Sequence, residues 1–319
     1  MTTWIVGAGG QDGKILATEL SVAGEKLILH FSQRIEFPNG SNLASNRIDA
    51  HQALEIINQY KVEKIYFLAA HSRPSSIRNR ENRNGEKSFF EVESLFEVVC
   101  EAAFSSRRPI DFFFASSCLI YSGSNQSPQN EETIPAPTES YALSKVRMSE
   151  ILYDYSKRSE YIRPVVGIFY NHESTFRTKE YLSHKVINYA LDIYEGKNRI
   201  SQLNLIAGRD VIDLSHAADF VSNLIRLMKT NFMGNCIFSS GFSISIQDFC
   251  DGVFKELNLD YRSYIFFADG EVLSQPKTVL VGNNALLKSI IDQPKIPSHS
   301  ETITRLVKEW QEVRVSDEN

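Results

Sequence analysis

Cysteine is scarce in this chain of 319 residues, which has only four: Cys100, Cys118, Cys236 and Cys250. They show no short paired spacing, so a disulfide framework and a zinc site are both disfavoured. Two of them lie in apolar stretches that resemble strands or helices. We therefore expect buried thiols in a reducing compartment.

Other absences exclude further classes of protein. No apolar run approaches the roughly 20 residues that a membrane-spanning helix needs. Met1-Thr2-Thr3 leads directly into a strand, so no signal peptide is expected there. The net charge of −5 provides no basic surface for nucleic acid. We expect a cytoplasmic protein with neither a membrane nor a nucleic-acid partner.

The composition is ordinary for a soluble globular protein, with 42% apolar and 23% charged residues. In the first half, short apolar strands alternate with helical patterns, which indicates parallel strands joined by right-handed crossovers. The expected strands are Trp4–Val6, Lys26–Phe31, Lys64–Leu68, Ile110–Ala115 and Arg163–Phe169. The expected helices are Lys14–Val22, His51–Tyr60, Lys87–Phe104 and Ser140–Arg158. The polar stretch from Arg73 to Lys87 is expected to be a loop.

The pattern changes after residue 170. The expected helices there are Tyr181–Tyr194, His216–Met228, Ile246–Leu257 and Glu301–Val313, and the expected strands are Ile200–Leu205, Asn235–Ser240 and Tyr261–Ala268. We predict an α/β protein with a Rossmann-type doubly wound parallel sheet in residues 1–170. Residues 171–319 would form a smaller mixed α/β substrate-binding lobe, with some segments returning to the sheet. That lobe would cover the carboxyl edge, where ligands bind in such sheets.

A glycine cluster follows the first expected strand. Gly7, Gly10 and Gly13 come after Trp4–Val6 and before an apolar-periodic helix. A strand, a glycine turn and a helix N-terminus together make a site for the diphosphate of a dinucleotide.

Three residues supply groups for hydride and proton transfer at a secondary alcohol. Tyr141 and Lys145 are four residues apart on one expected helix and therefore share a face. A phenol ionises near pH 10, and a nearby ammonium together with a positive nicotinamide ring favours the phenolate. Ser117 ends the fourth strand, which directs its hydroxyl toward the same cleft. The Tyr-x-x-x-Lys spacing alone is weak, but together with the serine and the glycine turn the signal is strong.

Several segments carry a family resemblance. They are Gly10-Gln11-Asp12-Gly13, Leu68-Ala69-Ala70-His71-Ser72, Asn171-His172-Glu173-Ser174 within residues 167–174, and residues 213–219 from Asp213 to Asp219. The chain resembles the extended short-chain dehydrogenase/reductase superfamily, and within it the GDP-mannose 4,6-dehydratase family. The resemblance extends to about residue 225 and is weaker beyond.

The resemblance implies roles for particular residues. Ser117, Tyr141 and Lys145 would carry hydride chemistry at C4 of a hexose in a GDP-linked sugar. Residues implied in cofactor binding are Gly7, Gly10, Gln11, Asp12, Gly13, Ser32, Arg34, Asp49, Leu68, Ala69, Ala70, Tyr141, Lys145 and His172. Residues implied in substrate binding are Ser72, Asn171, Glu173, Ser174, Lys185 and Arg209. Asp49 would contact adenine, and Asn171 with Lys185 would hold the sugar nucleotide.

The end of the second strand bears on the choice of cofactor. NAD-preferring sites place a carboxylate there to bind the ribose hydroxyls. This chain has Ser32-Gln33-Arg34 instead, which suits the 2′-phosphate of NADP, as arginine does in the resembling family. We therefore expect NADP, with NAD as the alternative.

One departure from the family concerns dehydration. The family's glutamate base stands two residues after the strand-end serine or threonine, where this chain has Leu119. General-base catalysis typically contributes about 10²–10⁴-fold, and leucine cannot accept a proton. We therefore expect an oxidoreductase acting at C4 that need not dehydrate. The alternatives are a dehydratase that uses Cys118, His71, His184 or a water as base, and an inactive nucleotide-sugar-binding subunit. Cys118 is expected to continue the strand and to point to the opposite side from Ser117.

Further departures concern the nucleotide phosphate. Gln275 precedes a proline where the family has an arginine, and Ile212 stands where an arginine is common. Glutamine cannot make a bidentate ionic contact, so Arg209 or Arg177 would have to compensate. The identity of the nucleotide base is therefore open. Glu173 is expected to organise the substrate loop.

The expected oligomer is a homodimer or a homotetramer. In the resembling fold, the helices Lys87–Phe104 and Ser140–Arg158 pack against their copies. Their apolar positions exceed what one core face needs; these are Phe96, Val99, Ala103, Met148, Ile151 and Leu152.

Overall fold

The computed structural model describes residues 1–43, 47–70, 83–197, 202–206, 210–268 and 279–317. Within these ranges, no helix combines the length and the apolar character that crossing a membrane requires. All four cysteines are buried, as expected, and none of them is in a disulfide.

An eight-stranded sheet forms the centre of the fold. Its strands are β1 (Thr2–Val6), β2 (Lys26–His30), β3 (Ile35–Glu36), β4 (Asn42–Leu43), β5 (Lys64–Phe67), β6 (Ile110–Ser117), β7 (Ile162–Phe169) and, after four strands of the second lobe, β12 (Gly234–Phe238). The strand order is β12-β7-β6-β5-β1-β2-β3-β4. The six strands from β12 to β2 run parallel to one another. At the far edge, β3 pairs antiparallel with β2, and β4 pairs antiparallel with β3. The expected doubly wound parallel sheet is confirmed.

Helices cover both faces of the sheet. In the first half they are α1 (Gln11–Val22), α2 (Ala50–Tyr60), α3 (Arg83–Ser106) and α4 (Ser140–Lys157). Side chains alternate across the sheet: Phe112 and Phe114 join the core under α2, α3 and α4, whereas Phe113 joins the core on the opposite face under α1. This period of two is what makes a continuous apolar strand bury both of its faces.

The remaining elements form the second lobe and return to the sheet. The strands are β8 (Asn171–Glu173), β9 (Leu203–Ile206), β10 (Val211–Ile212), β11 (Leu214–His216), β13 (Ile244–Ser245) and β14 (Ile265–Ala268). The helices are α5 (Leu182–Tyr194), α6 (Ala217–Leu227), α7 (Ile246–Glu256), α8 (Ala285–Ile290) and α9 (His299–Asp317). Helices α5, α7 and α9 enclose a core of their own, whereas α6 and α8 pack on the main sheet.

Several sequence-based boundaries are wrong. Helix α1 begins at Gln11 instead of Lys14, and α3 begins at Arg83, so the last residues of the expected Arg73–Lys87 loop are helical. The expected strand Tyr261–Ala268 opens as a 3₁₀ turn over Tyr261–Ser263. A polar and charged composition by itself does not distinguish a helix from a loop, which explains the second error.

The argument for an oligomer from surplus apolar residues is also wrong. Of the six positions in α3 and α4, all but Ile151 are fully buried in the chain's own core. The outer faces of these helices line a groove of about 410 Å³. Charged residues line this groove alongside Ile151 and Tyr155; they are Glu97, Glu150, Asp154 and Arg158. The homodimer therefore remains a prediction from resemblance alone.

Candidate active site

The glycine turn connects β1 to α1 at the carboxyl edge of the sheet. Gly7 has φ +97°, and a Cβ there would lie 2.6 Å from the backbone nitrogen of Ala69. A Cβ on Gly13 would lie 2.2 Å from the Gly7 carbonyl oxygen. Both positions must therefore be glycine for the turn to pack against β5 and α1.

Gly10 differs from these two glycines. A Cβ there would meet only the Gly7 carbonyl oxygen, at an ordinary contact distance of 3.5 Å, so packing among the described residues does not require glycine. Gly10 is also the N-cap of α1, and within the described part of the chain no side chain caps it. Open space in front of uncapped N–H groups suits a diphosphate, so the site fits the dinucleotide that the sequence predicts.

The three residues predicted to be catalytic belong to two neighbouring elements. Ser117 ends β6, and Tyr141 and Lys145 lie in the first two turns of α4. The Lys145 Nζ donates a hydrogen bond to the Ala115 carbonyl oxygen at 2.7 Å and lies 5.8 Å from the centre of the Tyr141 ring. The fold thus brings the lysine between the tyrosine and the strand that ends in the serine.

Lys145 is buried, with 3% of its surface exposed. Burial lowers the pKa of its ammonium group to about 7, although the Asp12 carboxylate acts in the opposite direction. The lysine is therefore near half-protonation at pH 7. Its assistance to a Tyr141 phenolate depends on the protonated fraction.

Two features beside the tyrosine were missed by sequence reasoning. The ring of Phe89 on α3 lies 6.0 Å from that of Tyr141, centre to centre. Ser117 caps a 3₁₀ turn over Cys118–Tyr121, where its Oγ accepts from the Leu119 N–H at 3.3 Å. No local pattern links a helix in one crossover to a helix in the next, so only tertiary structure reveals the aromatic contact.

Two of the candidate replacement bases lie in packed surroundings. Cys118 lies in the 3₁₀ turn rather than on a strand, contrary to our expectation, and is buried among Tyr121 and Tyr170. His184 packs edge-on against Trp310 at 4.7 Å, between α5 and α9, where burial lowers its pKa. His71 lies outside the described residues.

The predicted substrate segment forms β8, which pairs in parallel with β11. Asn171 is exposed, whereas the Glu173 carboxylate accepts from the Ser183 hydroxyl at 2.6 Å and from Arg177 at 3.2 Å. These bonds join Glu173 to the first turn of α5 and to Arg177. Arg177 is committed to this pair and to the His172 carbonyl oxygen, which weakens its candidacy as a phosphate ligand.

The side chains of Gln11 and Asp12 cross from α1 to this segment. Gln11 donates to the His172 carbonyl oxygen at 3.1 Å and accepts from the Ser174 hydroxyl at 2.9 Å. The His172 Nε2 lies 3.0 Å from the Asp12 carboxylate. Burial raises the pKa of Asp12, but the opposing effects of His172 and Arg177 are greater and hold it below its ordinary value.

At the end of β2, the structure adds a carboxylate that we did not anticipate. The Arg34 guanidinium stacks 4.5 Å from the centre of the Phe31 ring and donates to the Glu36 carboxylate at 2.6 Å. Glu36 lies on β3, which folds back beside β2. Asp49, the expected adenine contact, forms a capping box with Gln52 at the start of α2.

The remaining predicted residues divide into two groups. Leu68, Ala69 and Ala70 follow β5 at the carboxyl edge, Ser32 follows β2, and Lys185 lies in the first turn of α5. Ser72, Arg209 and Gln275 lie outside the described residues. Ile212 lies on β10, which pairs with β13.

Comparison with known proteins identifies relatives that match most of the chain. A family model described as GDP-mannose 4,6 dehydratase matches residues 4–275. The GDP-mannose 4,6-dehydratase of Sinorhizobium fredii (strain HH103) is 26% identical over 273 residues, which cover 80% of this chain and 76% of that protein. A GDP-mannose 4,6 dehydratase of Drosophila melanogaster is 24% identical over 211 residues, covering 66% of this chain and 52% of the fly protein. The chain thus matches about half the length of that relative.

Solved structures share the fold. The dTDP-glucose 4,6-dehydratase of Bacillus anthracis, in complex with NAD, superimposes with a TM-score of 0.76 and 17% identity over 98% of this chain and 97% of that one. RMD from Pseudomonas aeruginosa, complexed with NADPH, superimposes with a TM-score of 0.76 and 14% identity over 98% of this chain and 99% of that one. At these identities the likeness establishes the fold alone.

Proposed function

Because the chain belongs to the GDP-mannose 4,6-dehydratase family, we propose that it transfers a hydride between NADP(H) and C4 of a GDP-linked sugar. The observation that carries the proposal is the buried Lys145, which contacts both the Tyr141 ring and the strand that ends in Ser117. A buried lysine with a strongly lowered pKa is costly to maintain and is typical of functional sites.

The chain's own residues account for the proton. In the oxidative direction, the C4 hydroxyl loses its proton to the Tyr141 oxygen while its C–H bond gives up a hydride, and a ketone forms. In the reductive direction, the tyrosine returns that proton to the carbonyl oxygen. The Ser117 hydroxyl donates a hydrogen bond to the same oxygen, and protonated Lys145 stabilises the phenolate. A bound nicotinamide dinucleotide would supply or accept the hydride.

We propose that Leu119 removes the elimination step of the family. Its side chain has no group that could take the C5 proton, and the described contacts of Cys118 and His184 lie in packed regions of the fold. Asn171, Glu173, Ser174 and Lys185, with Ser72 and Arg209, are the proposed substrate-binding residues.

The proposed cofactor is NADP, held by the glycine turn and by Ser32 and Arg34. Arg34 supports this choice because its guanidinium stacks on the ring of Phe31, the residue that directly follows β2. NAD is the second candidate, since the Glu36 carboxylate already pairs with Arg34 and is the type of group that binds ribose hydroxyls. Comparing the thermal shift that each dinucleotide produces tests this choice, and a larger shift with NAD would overturn it.

We further propose a homodimer or homotetramer in the cytoplasm. The oligomer rests on the family resemblance, and the compartment on the four buried thiols, none of which is in a disulfide. Light scattering at micromolar concentration tests the oligomer, and a monomer there would contradict it.

The central experiment separates oxidoreduction from dehydration. With a GDP-linked 4-keto sugar, we expect NADPH to be consumed and the C4 alcohol to form. With GDP-mannose and NADP⁺, we expect no 4-keto-6-deoxy sugar by its alkali-induced absorbance. Abundant 4-keto-6-deoxy product would instead identify a dehydratase.

Substitution at Leu119 sharpens that experiment. Leu119→Glu should restore a base and raise dehydration of GDP-mannose by about 10²-fold or more. Leu119→Gln is the matched control, because it adds a polar side chain of similar size that cannot act as a base. Equal dehydration rates in the two variants would contradict the assigned role of position 119.

A further inference from the structure

One turn of helix α1 contacts two sites. Its backbone N–H groups directly follow the N-cap residue Gly10. Among the described residues no side chain caps them, so they are available to the proposed diphosphate. The side chains of Gln11 and Asp12 in this turn bind the segment formed by β8 and Ser174, about 160 residues further along the chain.

The glutamine binds two points of the β8 segment. Its amide nitrogen donates to the His172 carbonyl oxygen at 3.1 Å, and its amide oxygen accepts from the Ser174 hydroxyl at 2.9 Å. These bonds bracket Glu173. The Gln11 side chain therefore holds this segment at two points, and two such bonds fix the position of the segment along its axis.

The aspartate binds the same segment through a histidine. The His172 Nδ1 lies 2.7 Å from the Tyr170 carbonyl oxygen, and its Nε2 lies 3.0 Å from an Asp12 carboxylate oxygen. Each ring nitrogen thus contacts a different group, so the orientation of the ring is set from two sides. The ring also stacks on Phe220, with centroids 4.8 Å apart.

The far side of the segment is bound to the second lobe. Glu173 accepts from Ser183 on α5, the helix that carries Lys185, and from Arg177. The substrate segment therefore lies between α1, which belongs to the cofactor site, and α5, which belongs to the proposed substrate site.

We propose that Gln11 and Asp12 are positioning residues that couple dinucleotide binding to the conformation of residues 171–177. Their backbone serves the dinucleotide, and their side chains hold the strand that would bind the sugar nucleotide. Ligand binding at α1 restrains this turn, and the restraint passes through the side-chain bonds to β8. The proposal rests on the proposed function, because it assigns the two ligands to the two sides of the turn.

Linkage makes the coupling reciprocal. If dinucleotide binding orders β8, then the sugar nucleotide binds more tightly to the dinucleotide complex than to the free protein, by the same factor in both directions. Couplings of this kind usually change an affinity by about 5- to 150-fold. Without the side-chain bonds, the two ligands should bind independently.

Hydrogen exchange measures the coupling without any turnover. Adding NADPH to the full-length protein should slow amide exchange in peptides that cover residues 171–177, by about 5-fold or more in the wild type. In Gln11→Leu, NADPH should still protect residues 7–13, but the protection of residues 171–177 should be lost. Leucine keeps the size of the side chain and removes both bonds to β8.

Two more variants complete the test. Ser174→Ala leaves the sequence of α1 unchanged and removes the bond to the Gln11 amide oxygen, together with the bond that the Ser174 hydroxyl accepts from the Phe176 N–H. It should reduce the protection in part. Gln247→Leu is the matched control, because Gln247 donates to the Tyr261 hydroxyl within the second lobe; it should behave like the wild type. Calorimetry of GDP-mannose with and without NADPH then gives the coupling factor directly.

The outcomes are distinguishable. Protection of residues 7–13 without protection of 171–177 in the wild type overturns the coupling and leaves the proposed function standing. Equal protection of 171–177 in the wild type and in both Gln11→Leu and Ser174→Ala also overturns it. Coupled protection with no binding of GDP-mannose supports the coupling and removes the proposed substrate. A wild type that binds no dinucleotide overturns both.

Discussion

The two edges of the main sheet treat their polar groups in opposite ways. At the amino edge, Arg163 donates to the Asp111 carboxylate at 2.7 Å and to the Phe232 carbonyl oxygen, and Lys64 donates to the Met228 carbonyl oxygen. At the carboxyl edge, the buried Ser116 hydroxyl and His30 Nδ1 have no hydrogen-bond partner among the described residues. The Arg108 Nε, just before β6, is an exception at the amino edge, since it too is buried without a partner among the described residues.

This difference locates the function. A buried polar group without a partner costs about 1–3 kcal/mol, so a fold retains such groups where they serve something else. Burial lowers the pKa of His30 to about 4 and that of Lys145 to about 7, and both residues lie at the carboxyl edge. These two strongly lowered pKa values therefore belong to the edge at which we propose that the chemistry takes place.

The largest expected effect is on hydride transfer. Tyr141→Phe removes the proton-transferring hydroxyl and should lower the rate of NADPH oxidation with a GDP-linked 4-keto sugar by about 10²–10⁴-fold. Tyr155→Phe, on the same helix but facing the α3–α4 groove, is the control and should retain activity. A comparable loss in both variants would mean that the carboxyl edge has no special role.

Replacing a cation by methionine should have opposite effects at the two edges. Lys145→Met should stabilise the protein at pH 6 by at most about 5 kcal/mol, because it removes a buried ammonium whose pKa is lowered from 10.5 to about 7. Arg163→Met should destabilise it by about 1–3 kcal/mol, because the Asp111 carboxylate and the backbone carbonyls lose their donor. Urea unfolding of both variants measures the two values. Destabilisation by Lys145→Met at pH 6 would contradict the comparison.

The same lysine predicts a pH dependence. Between pH 7 and 10.5, unfolded Lys145 binds a proton that the folded state has released, so wild-type stability should rise with pH in this window. The advantage of Lys145→Met should therefore shrink from pH 6 to pH 9. Arg163→Met should show no such trend. Unfolding curves at several pH values test this, and a constant difference for Lys145→Met would disprove the lowered pKa.

The smallest expected effect concerns the glycine turn. Gly10→Ala should leave the fold intact, since its Cβ would meet only an ordinary contact, but weaken NADPH binding by about tenfold through crowding of the diphosphate, a cost of about 1.4 kcal/mol. Gly13→Ala should instead destabilise the protein, since its Cβ would overlap the Gly7 carbonyl. Titration of cofactor fluorescence and thermal unfolding separate the two. Unchanged NADPH affinity in Gly10→Ala would place the diphosphate elsewhere.

Residues that act through local chemistry were predictable. Gly7 and Gly13 follow from the tight turn between β1 and α1, and Tyr141 with Lys145 follows from helical spacing. Contacts between distant elements were not predictable, because no periodicity records them: Phe89 beside Tyr141, and the bonds from Gln11 and Asp12 to β8. The pair of Arg34 with Glu36 was missed because the sequence does not show that β3 folds back beside β2. Cys118 was misplaced because a strand pattern does not reveal where a strand turns into a 3₁₀ helix.

The sequence by itself determined the parallel sheet, the glycine turn and the pairing of a phenol with an ammonium. These depend on steric and hydrogen-bonding rules that act within a few residues. Only the tertiary structure decided how buried Lys145 is, which apolar side chains of α3 and α4 remain for a partner, and which strand the first turn of α1 holds. Burial and long-range contacts depend on how all the elements pack together, and packing sets the local dielectric and the neighbours on which the pKa of each group depends.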